Sequence, residues 1–157
     1  MIFLTVGTQD KQFLRLLKIV DNAIRKGVVK DEVIAQTGHT NFKSSNIKTY
    51  KFMSEKKMNE CIKNADLIVS HGGVGILTTA LIEKKKVFAI ARTSEYKEHI
   101  NDHQLQIVDK FYKLGYIKKI VDYDDFVREY ENLHKFKPKF PTFNNEKMLK
   151  TITDFIG

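Results

Sequence analysis

Short apolar runs and amphipathic stretches alternate along most of this chain. Residues 1–6 are nearly all apolar and end at Gly7, which is typical of a buried strand in a parallel sheet. Apolar residues then recur at helical spacing from Phe13 to Ile24, and this pattern stops at Gly27. The other predicted strands are residues 33–37, 47–52, 65–69, 87–91 and 116–121.

The segments between these runs have the composition of helices. Residues 55–64 and 76–84 fit this pattern, and Leu105, Val108 and Tyr112 mark a helix that ends at Gly115. Alternating strands and helices favour a mostly parallel sheet with helices on both faces, because right-handed crossovers place the helices there. The predicted fold class is therefore α/β with a Rossmann-like parallel sheet.

The C-terminal part of the chain is predicted to be a helical tail. It contains a helical stretch at residues 124–134, a connection punctuated by Pro138 and Pro141, and a last helix at residues 144–156. That last helix has more apolar residues than an exposed helix needs, so it packs on its own sheet or docks onto a partner. We expect one domain, residues 1–157, with a core of residues 1–121 and a tail of residues 122–157.

Composition agrees with one globular domain in a reducing compartment. With 157 residues, 42% of them hydrophobic, the chain can build one core and is too short for a second of similar size. The single cysteine, Cys61, forms no internal disulfide, which indicates a cytoplasmic setting. The sequence lacks a signal-peptide pattern and a run of roughly 20 apolar residues, so we expect no membrane crossing by the chain itself.

The net charge bears on the class of partner. Lys and Arg number 27 and Asp and Glu 19, which gives a formal net charge of +8. Nucleic acid, an anionic bilayer and a phosphorylated ligand all attract such a protein, but ordinary solvated faces are the favoured explanation of the charge. Because the sequence has no zinc-finger, helix-turn-helix or aromatic RNA-binding signature, nucleic acid is not an expected partner.

The most informative motif is the glycine-rich turn Ser70-His71-Gly72-Gly73-Val74-Gly75, which lies between a predicted strand and a predicted helix. Glycines let the main chain approach a diphosphate, and the N–H groups at a helix start point at the negative charge. Gly7-Thr8-Gln9 and Gln36-Thr37-Gly38 follow two other strands, whose C-terminal ends share the same crevice. The three turns predict one site for a nucleotide-linked ligand; tight packing of the glycines is the alternative.

A fourth polar cluster, Asn101-Asp102-His103-Gln104, opens a predicted helix after the strand at residues 87–91. It brings an amide, a carboxylate and an imidazole close to the same crevice, where they are suited to bind hydroxyl groups. Asn101 or Asp102 also suits the N-cap of that helix, and both interpretations can hold at once.

Together, VGTQ, QTGH, the Phe52-Met53 pair, ADLIVSHGGVG and NDHQ resemble the C-terminal, nucleotide-sugar-binding half of family 28 glycosyltransferases of the GT-B fold. Their order and spacing match over nearly all of residues 1–118. Within that family the likeness is greatest to small catalytic subunits of two-component transferases, including the dolichol-linked N-acetylglucosaminyltransferase and bacterial capsule and exopolysaccharide enzymes. In those systems a membrane-anchored protein supplies the other half.

The resemblance implies a donor-binding role for each segment. The first turn lines the diphosphate site, the second supports the crevice, and the glycine-rich turn presents backbone amides to the phosphates. The aromatic pair brackets the uracil, although ordinary core packing explains that pair as well, and the fourth cluster faces the donor sugar. The implied residues are Gly7, Thr8, Gln9, Gln36, Thr37, Gly38, Phe52, Met53, His71, Gly72, Gly73, Val74, Gly75, Asn101, Asp102, His103 and Gln104.

The chain departs from the family pattern at the ribose. Many members carry a glutamate four residues after the last glycine of the turn, where its carboxylate holds the ribose hydroxyls. Here that position is Thr79, next to Thr78, and a hydroxyl lacks the two-oxygen grip of a carboxylate. Asp10 also stands where related chains often carry glycine.

The reaction that the resemblance implies is inverting transfer of a hexose from a UDP-sugar to a hydroxyl of a lipid-linked saccharide. We expect no metal and no other cofactor, because N–H groups and a helix N-terminus stabilise the leaving diphosphate. His103 is the candidate catalytic residue and His71 a second candidate base, although the family logic places the general base on the partner. His39, His99 and His134 are expected at the surface.

A possible metal motif is better explained by helix capping. Asp122-Tyr123-Asp124 resembles the D-x-D metal motif of the other large transferase fold. However, the motif lies after the last predicted strand, where short acidic residues are favoured at a helix start, and we expect Asp124 and Asp125 to open the next helix.

The resemblance also implies partners and a location. The expected partners are a UDP-sugar donor, a membrane-anchored subunit that supplies the acceptor-binding half, and a lipid-linked saccharide acceptor in capsule or exopolysaccharide synthesis. The expected location is cytoplasmic, peripheral at the membrane face through that subunit. Two alternatives stay open: a non-catalytic accessory subunit that raises the activity of a partner, and a separate nucleotide-sugar enzyme such as an epimerase.

Overall fold

The computed structural model contains one parallel sheet, and it describes residues 1–99 and 101–141. The strands are β1 (Ile2–Thr5), β2 (Val33–Gln36), β3 (Lys48–Tyr50), β4 (Leu67–Ser70), β5 (Lys86–Ala89) and β6 (Lys118–Lys119). Their order across the sheet is β3-β2-β1-β4-β5-β6, and every neighbouring pair is parallel. The strand order reverses between β1 and β4, and α/β proteins bind ligands at such a point.

In the described part of the chain, five α-helices surround the sheet. They are α1 (Leu14–Arg25), α2 (Glu55–Asn64), α3 (Val74–Ile82), α4 (His103–Lys113) and α5 (Tyr123–Glu131), and a 3₁₀ turn follows at Leu133–Lys135. Among the described helices, none is both long and apolar enough to span a bilayer.

Helices cover both faces of the sheet, as the alternating pattern predicts. One apolar cluster joins β1, β2 and β4 to α1 and α5, and the second cluster joins the opposite face to α2, α3 and α4. All residues of β1 and β4 are buried, because these central strands are covered on both sides. The α/β, Rossmann-like prediction is confirmed.

Helix α5 belongs to the core, although the sequence places it in a tail after residue 121. Phe126 is fully buried in the cluster of α1, and its ring meets that of Phe88 edge to face with centroids 6.0 Å apart. The predicted last helix at residues 144–156 lies outside the described residues.

The two edge strands are the ones that fall furthest short of their predicted lengths. The run at residues 116–121 contributes only the two residues of β6, at the edge of the sheet. The alternating run at residues 47–52 gives the three residues of β3 at the other edge. Edge strands have one neighbour, so fewer ladder hydrogen bonds define their ends.

Candidate functional site

The polar turns after β1, β2 and β4 meet at one crevice. Thr5 and Ser70 are in register at the ends of β1 and β4, and the next turns begin two residues later at Gly7 and one residue later at His71. His71 donates its backbone N–H to the carbonyl of Thr5 at 3.2 Å. Gly38 lies so close that a Cβ there would sit 2.5 Å from the carbonyl oxygen of Gly7. The structure therefore brings the three predicted turns together.

The ring of His71 fills the space between two glycines. A Cβ on Gly7 would lie 2.5 Å from Nε2 of His71, and a Cβ on Gly73 would lie 2.4 Å from the same atom. Gly7 also has a φ of +81°, a conformation that side-chain-bearing residues rarely adopt. These two glycines are therefore required by His71 packing as well as by any close approach of a ligand.

His71 is neutral at pH 7 in this setting. Burial lowers its pKa to about 4, and the positive charge of Arg92 acts in the same direction. Its Nδ1 lies 3.3 Å from the Oγ of Ser70, whose hydroxyl donates to the carbonyl of His71 at 2.9 Å. Because that hydroxyl proton is already used, we assign the ring proton to Nδ1. A buried, wedged imidazole has little access to an acceptor hydroxyl, so His71 does not suit the role of general base.

The N-terminus of α3 opens toward the crevice. Gly73 is the N-cap and provides no side-chain cap, and the first intrahelical bond runs from Leu77 N–H to the Gly73 carbonyl. The N–H groups of the first helical turn before Leu77 therefore have no intrahelical partner. A Cβ on Gly75 would meet no atom within 4 Å, so the space beside this turn is open. The arrangement fits an anion at a helix start.

The two threonines at the ribose position differ in their surroundings. The Thr79 hydroxyl donates to the carbonyl of Gly75 at 2.9 Å, one helical turn earlier. The Thr78 hydroxyl is buried and has no hydrogen-bond partner in the described part of the chain. Contact of either hydroxyl with a ribose stays a prediction.

Gln104 connects two segments of the site. Its side chain is buried, and Oε1 accepts from the N–H of Gly72 at 3.2 Å and of Arg92 at 3.1 Å. Gly72 packs against it so closely that a Cβ there would lie 2.8 Å from the Cβ of Gln104. The amide oxygen thus holds the glycine turn, and contact between Gln104 and a donor sugar stays a prediction.

The residues that precede Gln104 form the start of α4. Asn101 Oδ1 accepts from the N–H of His103 at 3.0 Å, whereas the carboxylate of Asp102 accepts from the N–H and hydroxyl of Ser94. Asn101 thus provides an acceptor for an N–H group at the helix start, while Asp102 fixes the position of the preceding loop through Ser94. His103 is exposed at this helix start, which leaves its imidazole accessible.

One of the remaining histidines departs from its expected surface position. His99 is half-buried, its Nε2 lies 3.1 Å from Nε2 of Gln9, and burial lowers its pKa. His39 and His134 are exposed, as expected. Thr8, beside Gln9 in the first turn, is exposed as well.

Phe52 and Met53 follow β3 at the rim of the crevice. The buried Gln36 accepts from the N–H of Met53 at 3.2 Å, which fixes this loop to the end of β2. Phe52 is 50% exposed and contacts His39 edge to face, while Met53 packs partly into the core. Core packing is therefore observed for Met53, while contact of either side chain with a base stays a prediction. The N–H of the buried Thr37 donates to the carbonyl of Tyr50 at 2.8 Å, which joins the residue after β2 to the end of β3.

Arg92 and Glu98 are the site residues that sequence reasoning misses. Both are buried in the loop between β5 and α4, next to the crevice. A lone arginine and a lone glutamate in a loop carry no periodicity or motif. Their one signal is position, because they lie between a strand end and the NDHQ cluster.

The D-x-D segment serves as a helix cap. Asp122 is the N-cap of α5, and its side chain accepts from the N–H of Asp125 at 2.9 Å. Among residues 1–99 and 101–141, no three His, Cys, Asp or Glu side chains are grouped to hold a metal ion.

Comparison with known proteins identifies the family. The model of the glycosyltransferase family 28 C-terminal domain matches residues 1–156. The UDP-N-acetylglucosamine transferase subunit ALG13 of Candida albicans is 35% identical over 75 residues, which are 48% of this chain and 24% of that protein. The matched region is thus less than two thirds of the length of that relative.

Solved structures share the fold. The NMR structure of ALG13 has a TM-score of 0.60 and 21% identity, covering 96% of this chain and 93% of that chain. The glycotransferase of kitacinnamycin has a TM-score of 0.63 and 16% identity, covering 84% of this chain and 34% of that chain. MurG of Acinetobacter baumannii has a TM-score of 0.57 and 15% identity, covering 85% of this chain and 40% of that chain.

This chain is similar to less than half of each of the two larger enzymes, so it has the fold of one half of a GT-B glycosyltransferase. The match to the family model extends over nearly all of its 157 residues. This chain belongs to the family of glycosyltransferase family 28 C-terminal domains.

Proposed function

We propose that this chain is the donor-binding catalytic subunit of a two-component glycosyltransferase that moves a hexose from a UDP-sugar to a lipid-linked saccharide. The observation that carries the proposal is the crevice at the switch between β1 and β4, where Gly7, Gly73 and the start of α3 converge. Family membership supports the reaction class, and the crevice is where we propose that the diphosphate binds.

The proposed site stabilises the leaving group with backbone dipoles. When the bond between the sugar and the diphosphate breaks, negative charge grows on the diphosphate oxygens. The N–H groups of the first turn of α3 are already oriented, so they stabilise this charge without reorganising. The neutral His71 sets the positions of both glycine turns and adds no charge of its own. In this proposal the reaction needs no metal and no other cofactor.

The proposal places the acceptor on a second subunit. The chain covers one half of a GT-B fold, and a GT-B enzyme closes two halves over its substrates. ALG13 is itself named a transferase subunit. The partner, which we propose to be membrane-anchored, would hold this chain at the cytoplasmic membrane face and supply the general base. His103, which is exposed at the start of α4, is the candidate base within this chain.

A capsule or exopolysaccharide pathway is the proposed setting, and a non-catalytic accessory subunit is the second candidate. An accessory subunit would raise the activity of its partner through contact alone. The two candidates differ in whether the donor crevice is needed for turnover.

A membrane assay separates these two functions. Membranes from a strain that lacks the gene for this chain are supplied with a panel of UDP-sugars and with wild-type or Gly75→Ala protein, because a methyl group at Gly75 meets no neighbouring atom and leaves the fold intact. The proposal predicts UDP release and labelled lipid product with the wild-type protein for one UDP-sugar, and much less of both products with Gly75→Ala. Equal product with both proteins would establish the accessory function, and no product with any UDP-sugar would reject the proposed reaction.

A further inference from the structure

Arg92 is the largest side chain that the described fold buries completely. It lies three residues after the end of β5 and is 0% exposed. Removing a guanidinium from water costs several kcal/mol, so a buried arginine needs well-placed acceptors. Those acceptors show which parts of the molecule the residue connects.

The guanidinium joins the loops on two sides of the crevice. Nη2 donates to the carbonyl of Val6 at 2.7 Å, and Nη1 donates to the carbonyls of Lys11 at 2.6 Å and Glu98 at 3.1 Å. Val6 immediately precedes the Gly7-Thr8-Gln9 turn, and Lys11 lies two residues after it. One side chain therefore fixes both ends of the first turn to the loop between β5 and α4.

The main chain of Arg92 reaches the other glycine turn. Its N–H donates to Oε1 of Gln104, and the same oxygen accepts from the N–H of Gly72. Through its side chain and its backbone, Arg92 is thus connected to the turns on either side of the His71 ring.

Burial lowers the pKa of Arg92, and the negative charges of Glu98 and Asp10 act in the opposite direction. The nearby carboxylate of Glu98 is engaged by Arg15 at 2.9 and 3.2 Å. Within the described ranges, no carboxylate lies within 4.0 Å of the Arg92 guanidinium. Its field reaches His71, where it helps to lower the pKa.

We infer that Arg92 is a positioning residue for the donor site: its side chain and its backbone N–H fix the Gly7 and Gly72 turns relative to each other. The inference rests on the proposed function for the identity of the anion. The hydrogen bonds by which Arg92 joins the two turns, which we call the Arg92 clamp, do not depend on that identity.

The test compares Arg92→Gln and Arg92→Lys with Lys86→Met in the full chain. Lys86 is a matched control because its ammonium donates to the carbonyl of Leu133 at 2.9 Å, at the opposite end of β5. We expect Arg92→Gln to raise the Kd for UDP by about tenfold or more, because a charged hydrogen-bond network is lost. Arg92→Lys keeps the positive charge but loses the planar set of N–H donors, so its Kd for UDP should lie between those of the wild type and Arg92→Gln. Lys86→Met binds UDP like the wild type.

Two further measurements distinguish positioning from general stability. In Arg92→Gln the backbone amides of Gly7 and Gly72 exchange with solvent faster than in wild type, whereas Lys86→Met leaves them unchanged. The pKa of His71, followed by NMR, rises in Arg92→Gln and stays low in Arg92→Lys. If Arg92→Gln does not fold, the Kd and amide exchange of Arg92→Lys carry the test.

The outcomes separate this inference from the proposed function. Wild-type protein that does not bind UDP would reject the proposed donor, while amide exchange in the unliganded chain would still test the Arg92 clamp. Folded Arg92 variants with wild-type amide exchange and a wild-type Kd would overturn the inference.

Discussion

Gly73 and Gly75 stand two positions apart in one turn, yet a methyl group would meet different surroundings at each. At Gly73 it would lie 2.4 Å from Nε2 of His71, and at Gly75 it would meet nothing within 4 Å. We predict that Gly73→Ala lowers both the free energy of unfolding and UDP affinity, because the buried ring must move.

The matched variant Gly75→Ala separates stability from binding. Gly75 lies within α3, so alanine should raise the free energy of unfolding by about 0.5–1 kcal/mol. UDP affinity should fall all the same, because the new methyl group occupies the approach to the N–H groups. Urea unfolding and UDP titration of both variants check this pair. A Gly75→Ala protein that binds UDP as the wild type does would place the diphosphate elsewhere.

His71 makes the stability of the fold depend on pH. Its pKa is about 4 in the folded chain, below the usual value of about 6.5 for an unfolded histidine. Between these values the unfolded chain binds more protons, so the free energy of unfolding falls as pH drops from 6.5 to 4. The contribution of His71 should approach about 3 kcal/mol, so His71→Gln should lose much less over this range than the wild type, while the loss that comes from the half-buried His99 remains in both proteins. Urea unfolding at pH 7 and 4.5 measures it; His134→Gln, which alters an exposed histidine, should behave as the wild type. An equal loss in His71→Gln would refute this origin.

At the residue scale, the sequence predicts the turns but not the residues that hold them. Glycines between a strand and a helix have a recognisable spacing, so Gly7, Gly38 and Gly73 could be identified in advance. The roles of Arg92 and Gln104 depend on contacts with carbonyl and N–H groups far away in sequence, as in the bond from Arg92 to Val6. Such contacts follow from the fold and leave no local pattern.

At the element scale, α5 is a structural part of the domain. Phe126 is fully buried between this helix and the sheet. We predict that Phe126→Ala lowers the free energy of unfolding by about 3–5 kcal/mol, as large-to-small changes in a core do. Thermal or urea unfolding measures the loss. A change below 1 kcal/mol would mean that α5 is a dispensable tail.

The start of the same helix tests the capping interpretation of the D-x-D segment. Asp122→Ala removes the acceptor for the N–H of Asp125 and should cost about 1 kcal/mol. UDP affinity in this variant should equal that of the wild type, with and without Mg²⁺. Mg²⁺-dependent UDP binding that is lost in Asp122→Ala would favour the metal motif instead.

Element boundaries follow the sequence where a capping residue marks them. The predicted helix at residues 55–64 matches α2, because Ser54 caps it through the N–H of Lys57. Helix α3 begins at Val74, two residues before its predicted start, because the last glycine of the turn lies inside the helix. Apolar periodicity cannot reveal a helical turn that contains glycine.

At the scale of the whole molecule, the apolar periodicity of the sequence predicts a sheet between two layers of helices, but it does not predict which strands are neighbours in that sheet. The alternation of strands and helices indicates a parallel sheet covered on both faces. The order β3-β2-β1-β4-β5-β6 is set by which strands pair across the sheet, and no single segment encodes that choice. This order makes β1 and β4 adjacent and thereby joins the turns at Gly7 and His71 into one site.

The central claim is that these joined turns hold the diphosphate of a uridine nucleotide. Calorimetric titration of the wild-type chain with UDP, with ADP as the comparison and Gly73→Ala as the control protein, tests it most directly. The account predicts saturable binding of one UDP per chain, weaker binding of ADP, and no binding by Gly73→Ala. Absence of UDP binding to the folded wild-type chain at millimolar concentration, or equal binding by Gly73→Ala, would contradict it.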